Sequence, residues 1–341
     1  MNNLKKVGLS ALTGSLVAAS ASAGALDVTG IWEVTFTSND LQNSGNAFGS
    51  KSAIMFSGSG DVDGVGTASW YAAINDNNPA GFLSHDVSID MGDLGTFGFD
   101  QGVGAYGVGT IDDKSPSAWE ESWHGTANTT ALAVTGGSSG VLGYKNAMGG
   151  FNVSIEYAPA LGAADAGDGG TGAITNTGQR GSNTNFAITN STLVDGLDVG
   201  FGYGENSSSN AIAGSTKDQS SIVGYANYTM GSFTVGYTQG ETSGGTAATS
   251  AQIMSAYGIA FNVNDNLSVS YNDHEIEYKK TAATNASQTT QANVTQSATG
   301  IAIAYTMGGA TMALQNNEMD NVSGTAGTND KITEISLSLA F

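Results

Sequence analysis

Leu26-Asp-Val-Thr-Gly-Ile-Trp-Glu-Val-Thr-Phe36 sets the pattern of the chain. Leu26, Val28, Trp32, Val34 and Phe36 share one face; Asp27, Thr29, Glu33 and Thr35 share the other, with Ile31 the exception. Successive side chains of a strand point to opposite sides, so this reads as a strand with one apolar and one polar face. The alternation returns in Phe151-Asn-Val-Ser-Ile-Glu-Tyr157, Leu197-Asp-Val-Gly-Phe-Gly-Tyr203 and Phe233-Thr-Val-Gly-Tyr237. It continues through Tyr257 to Val263, Leu267 to Tyr271 and Ile301 to Met307. It closes the chain, where Ile335, Leu337, Leu339 and Phe341 alternate with Ser336, Ser338 and Ala340.

Sixteen such segments are expected, near 26–37, 50–59, 65–74, 83–91, 96–101, 139–147, 151–159, 184–193, 197–204, 220–230, 233–240, 252–263, 267–278, 298–307, 310–319 and 331–341. Short and long connections take turns between them. The short ones hold Gly92-Asp-Leu-Gly95, Met148-Gly-Gly150, Val194-Asp-Gly196, Met230-Gly-Ser232, Asn264-Asp-Asn266 and Met307-Gly-Gly309, with one more near Asp61-Val-Asp-Gly64. Gly, Asn and Asp tolerate the positive φ that hairpin turns need. The long ones are rich in Gly, Ser, Asn, Thr and Asp, and the third, 102–138, exceeds its neighbours.

Composition narrows the class. The 341 residues include 49 glycines, three prolines and no cysteine, and 30 acids face ten bases for a formal charge of −20. Phosphate binding needs a basic footprint, so nucleic acid is excluded as a partner. Without cysteine there is no disulfide framework, thiolate metal site or thiol catalysis. Residues 1–23 read as a secretory signal peptide: Lys5 and Lys6 precede an apolar run from Val7 to Ala19, and Ala21-Ser-Ala23 fits the small-x-small cleavage rule. The mature part, 24–341, then reads as one all-β unit. No stretch approaches 18 consecutive apolar residues.

Alternation alone also suits a secreted β-structural adhesin. Three features favour a sixteen-stranded antiparallel transmembrane β-barrel instead. The polar face is mostly Gly, Ser, Thr, Ala and Asn, which suits a water-filled lumen. Short-then-long connections match barrels with short periplasmic turns and long outer loops. Aromatics such as Trp32, Phe36, Phe97, Phe99, Phe151, Tyr157, Phe233 and Tyr237 sit near segment ends, as in interfacial girdles.

The signal peptide, sixteen strands, long third loop and last strand ending on Phe341 resemble the general porins of Gram-negative outer membranes. Gly24-Ala-Leu-Asp-Val-Thr-Gly-Ile-Trp-Glu and Phe56-Ser-Gly-Ser-Gly60 are similar to the first hairpin of porins from α-proteobacteria. The resemblance implies an outer-membrane homotrimer, passive diffusion of small hydrophilic solutes, a third loop folded into the lumen, and a terminal Phe341 read by the barrel-assembly machinery.

The third loop carries Asp112-Asp-Lys-Ser-Pro-Ser-Ala-Trp-Glu-Glu-Ser-Trp-His124. Asp112, Asp113, Glu120 and Glu121 are expected at the pore constriction, with Trp119 and Trp123 anchoring the loop. A solute-specific pore would instead use Trp119 or Trp123 as a stacking platform. The family sets wall arginines against the loop acids, but the one arginine here, Arg180, falls in an outer loop. Following the alternation, the inward bases are Lys51 and Lys145, and the inward acids Glu33, Asp86, Asp90, Asp100, Glu156, Asp198 and Glu334. An acidic tube concentrates cations, so modest cation selectivity is expected.

Gly102-Val-Gly-Ala-Tyr-Gly107 matches the dinucleotide-binding letters but lacks a following helix. Asp61-Val-Asp63-Gly64 and Asp165-Ala-Gly-Asp168 are fragments of calcium loops without the ligand ladder. Calcium in the outer loops stays unassigned, no other cofactor is expected, and His85, His124 and His274 form no metal motif. No nucleophile stands out, so the chain is not read as an enzyme.

Overall fold

A computed structural model describes residues 26–41, 45–76, 84–128, 139–159, 181–207, 218–244, 251–279 and 293–341. The expected signal peptide, Arg180 and the Asp165–Asp168 segment lie outside the described residues. Sixteen strands form: β1 (Asp27–Asn39), β2 (Phe48–Val62), β3 (Gly66–Asn75), β4 (Ser84–Asp90), β5 (Thr96–Gln101), β6 (Ser139–Met148), β7 (Phe151–Ala158) and β8 (Asn183–Asn190) make the first half. The second half is β9 (Leu197–Asn206), β10 (Gln219–Met230), β11 (Phe233–Gly244), β12 (Ala251–Asn262), β13 (Leu267–Lys279), β14 (Val294–Met307), β15 (Ala310–Asp320) and β16 (Asp330–Ala340).

Each strand pairs antiparallel with its sequence neighbour, and β1 pairs with β16, so the sheet closes on itself. At the seam Trp32 lies opposite Leu339 and Phe36 opposite Ile335. Below that register the Phe341 amide donates to the Gly30 carbonyl at 2.9 Å, and the Gly30 amide returns the bond at 3.1 Å. Closure matters because an unpaired backbone group in hydrocarbon costs several kcal/mol. A sandwich with open sheet edges does not fit the described strands.

The alternation predicted from sequence sorts the two faces. Trp32, Phe36, Val87, Phe151, Ile155, Phe201, Ile259, Ile301 and Leu337 are exposed on the outside. Inside, much of the wall is small or polar, with Asn185, Ala187, Gly202, Thr238, Gly258, Asn272 and Ser336 all buried, and larger apolar side chains such as Met254, Ile276 and Met319 lie under the long loop. Many bulky side chains of the kind that fill soluble cores are thus turned outward. The short connections hold the tight turns their composition implies. Gly149 and Gly150 take φ of 60° and 86°, the double positive φ of a two-residue hairpin turn. The expected turn near Asp61 falls at 63–65, with Asp61 itself in β2 accepting from the Thr67 hydroxyl.

Strand edges differ from expectation mainly on the long-loop side. β2, β11 and β14 run longer than the apolar pattern suggested, because their extensions at Phe48, Gly244 and Val294 keep the ladder without keeping the apolar alternation.

Candidate functional site: a loop laid along the lumen wall

The long connection after β5 turns into the barrel at Gly102, Gly104 and Gly107, whose φ values are 89°, 73° and 68°. Those three glycines are the GxGxxG letters, and their role is a sharp change of direction rather than a phosphate cradle. Asp100 directs the turn, accepting from the amides of Val103 and Ala105 at 2.7 and 2.6 Å.

From there the loop runs past the inner faces of β6 to β16. Its backbone is held by wall side chains at successive strands. The Gly107 amide donates to Ser154 Oγ at 2.9 Å, and the Val108 amide to Asn185 Oδ1 at 2.7 Å. Asn227 Nδ2 donates to the Lys114 carbonyl and Asn272 Nδ2 to the Pro116 carbonyl, both at 2.8 Å. The Ala118 amide donates to Ser270 Oγ at 2.9 Å. Asn317 Nδ2 lies 3.1 Å from the Glu121 carbonyl and 3.0 Å from that of His124. The Ala127 amide donates to Asp330 Oδ2 at 2.7 Å. In each of these bonds the wall grips the loop's backbone rather than its side chains.

Wall glycines make room for this path. A Cβ added at Gly143 would lie 2.1 Å from the Tyr106 ring, one at Gly258 2.7 Å from Pro116, and one at Gly300 2.8 Å from Ser122. Two apolar knobs complete the docking. Val108 and Ile111 pack with Ala187, Val223 and Tyr225. Trp123 packs with Met254, Ala256, Ile276, Ala298 and Met319, its ring 4.4 Å from that of His274.

The loop acids, Asp112, Asp113, Glu120 and Glu121, fall between these backbone anchors. Burial, with the Asp113 carboxylate beside it, pushes Asp112 up to about 7. Asp113 is exposed, yet desolvation by the atoms around it and the Glu120 carboxylate push it up to about 6. Burial and Asp113 push Glu121 up to about 8. Lys114 offsets part of the effect on Asp112 and Asp113. Glu120 lies 3.4 Å from His124 Nδ1.

Against known proteins, no family sequence profile matches, and no characterised protein matches by sequence. Solved structures do. OmpT, an outer membrane protein of Vibrio cholerae, superposes with TM-score 0.66 at 11 % identity, covering 93 % of this chain and 98 % of its own. An anion-selective porin from Comamonas acidovorans gives 0.63 at 14 %, covering 93 % and 100 %. Salmonella typhi OmpF gives 0.62 at 15 %, covering 93 % and 98 %. The fold is the porin fold.

Within this barrel some charged wall residues stand clear of the loop and others lie beneath it. Glu33 and Lys51 lie opposite each other across β1 and β2, and Glu33 accepts from Ser336 Oγ at 2.6 Å. Asp86 lies opposite Asp100 across β4 and β5. Asp90 is exposed at the foot of β4. Asp198 accepts from the Tyr225 hydroxyl at 3.1 Å, and Glu334 stands 3.5 Å from Gln315 Nε2. Lys145 holds its ammonium 4.7 Å from the Tyr106 ring centre.

Asp100 and Glu156 correct the sequence reading. Both are buried, at 0 % and 2 % exposure, because the loop lies over them. Glu156 is occupied by Asn185 Nδ2 at 2.9 Å, which also orients Asn185 toward the loop. Alternation gives the facing of a side chain but not what covers it. Trp123 is likewise buried, at 5 %, and offers no face to a solute; Trp119 stays half-buried. Sequence reasoning missed the anchors Asn185, Asn227, Ser270, Asn272, Asn317 and Asp330, and the roofing Tyr106. Their only signal was amides recurring at inward positions of strands whose polar faces are otherwise small.

Proposed function

We propose that the chain is an outer-membrane porin, a passive and non-enzymatic channel for small hydrophilic solutes and ions with modest cation selectivity. The observation that carries this reading is the loop of carboxylates pinned inside a closed barrel whose bulky apolar side chains point outward. Asp112, Asp113, Glu120 and Glu121 come from the loop, and Glu33, Asp86 and Lys51 from the wall of β1 to β4, where none of the described backbone anchors lies. A low-dielectric tube with more acids than bases enriches cations. The half-buried Trp119 is the one loop indole left for a stacking role in a solute-specific pore.

A Gram-negative outer membrane suits the outward apolar belt, with lipid as its partner there. A homotrimer is the proposed assembly, supported by the likeness to OmpT of Vibrio cholerae in its trimer form, TM-score 0.67 at 11 % identity. Phe341 is proposed as the residue read by the assembly machinery, and 24–341 as the mature barrel after removal of 1–23.

The test is conductance of the refolded mature protein in a planar bilayer under a salt gradient. Steps in groups of three with a cation-favouring reversal potential are expected. An anion-favouring potential would put Lys51 and Lys145 in control. No current from folded β-sheet in the membrane would overturn the channel reading.

A further inference from the structure

At the short-turn end of the lumen, a cavity of about 550 Å³ opens between the wall of β4 to β8 and the underside of the long loop. Ala105 and Thr110 of the loop roof it; Asp90, Thr96, Lys145, Asn152 and Ser154 line it. Four of these lie in one cross-strand row. Asp90 is opposite Thr96, Thr96 opposite Lys145, and Lys145 opposite Ser154. Register partners point to the same side of a sheet, so the row presents carboxylate, hydroxyl, ammonium and hydroxyl to one cavity. Neighbouring strands are spaced about 4.8 Å apart, which puts the Asp90 and Lys145 backbones about 10 Å from each other.

The charges in this row are unspent. Among the described residues Lys145 makes no ion pair; its ammonium rests on the Tyr106 ring. Asp90 accepts from the Gly92 amide at 2.9 Å through one oxygen, and it lines the cavity and is exposed. Among the described residues Lys145 is the only base lining this cavity. A simple anion drawn to it would meet Asp90 two strands away. A molecule carrying both charges satisfies both ends. We propose that this cavity binds small zwitterions of short-peptide size, the carboxylate on Lys145 and the Ser154 hydroxyl, the ammonium on Asp90, with Thr96 between them.

The inference rests on the porin reading, since the cavity lies on the proposed diffusion path. Single channels in neutral KCl are exposed in turn to glycylglycine, gluconate and glucose. Glycylglycine is expected to give brief, saturating blocks of an otherwise open channel. Lys145→Gln and Asp90→Asn should each raise the half-blocking concentration at least about tenfold, as for loss of a charge-assisted hydrogen bond. Gel mobility with and without heating establishes that each variant is folded. Open channels without block, or equal block by glucose, would overturn the site. Block by gluconate but not glycylglycine would overturn the zwitterion assignment. If the folded protein passes no current, the porin reading fails, and the cavity is judged by calorimetric titration of glycylglycine into the detergent-folded barrel. Saturating heat that is lost in Lys145→Gln supports the site, and absence of heat in the parent protein overturns it.

Discussion

Selectivity should rise with pH well above the range where free carboxylates titrate. The perturbation is pH alone, between 5 and 9. Asp112 at about 7, Asp113 at about 6 and Glu121 at about 8 are the groups concerned. From those positions the three together carry about 0.1 negative charge at pH 5, about 1.5 at pH 7 and about 2.9 at pH 9. Ordinary carboxylates would be almost fully ionised by pH 6. The loop therefore gains about three charges across a window in which ordinary carboxylates change little. The assay is reversal potential under a tenfold KCl gradient at each pH, with the cation-to-anion permeability ratio expected to climb between about pH 5.5 and 8.5. Asp112→Asn with Glu121→Gln should flatten the climb. A ratio that changes only below pH 5 would refute the reasoning, because it would show these carboxyls fully hydrated. The sign of the stability effect is the opposite. A folded-state carboxyl pKa raised above its unfolded value means the folded loop holds protons that the unfolded chain has released. Loop docking should weaken as pH rises from about 4 through 8, readable as faster proteolytic nicking in the loop.

Other perturbations address the docking. Gly258→Val puts a branched side chain where even a Cβ would lie 2.7 Å from the Pro116 ring; a folded barrel with altered unitary conductance is expected, and unchanged conductance would count against the loop path. Asn272→Ala removes the donor to the Pro116 carbonyl; at about 1 kcal/mol, loop-opening noise in the single-channel current should rise about fivefold. Trp123→Ala empties a buried site; a loss of about 3–5 kcal/mol in docking should appear as lower protection of loop amides from exchange. Deleting Phe341 removes both seam hydrogen bonds to Gly30; slower refolding into detergent is expected, measured by the heat-shifted gel band.

The barrel was legible in sequence because lipid and lumen impose opposite demands at every second residue. Phe151-Asn-Val-Ser-Ile-Glu-Tyr157 carries that demand in seven letters, and Glu156 faces inward as they require. The weakly patterned β2, β5 and β6 were placed instead by their neighbours, since short turns and long loops must alternate. The site was harder to read for a geometric reason. Facing follows from local parity, but cover comes from a segment distant in sequence. Glu156 and Asp90 have the same parity, yet one lies under the loop, bonded to Asn185, and the other opens on the lumen. Nothing within β4 or β7 distinguishes them.

The glycine excess has the same origin. Some glycines bend the chain, as at Gly149 and Gly150. Others, such as Gly143, Gly258 and Gly300, are flat wall on which Tyr106, Pro116 and Ser122 rest. A strand interior disfavours glycine, which packs nothing of its own and costs backbone entropy. Its recurrence on the inner face is therefore a trace of the docked loop. In a barrel whose lumen were wholly open, a larger residue at Gly258 would meet only water, and alanine or serine would serve the strand better. The variants above separate these cases. If Gly258 keeps room for Pro116, Gly258→Val changes the channel while sparing the sheet; if it does not, the substitution should stabilise the barrel and leave the current as it was.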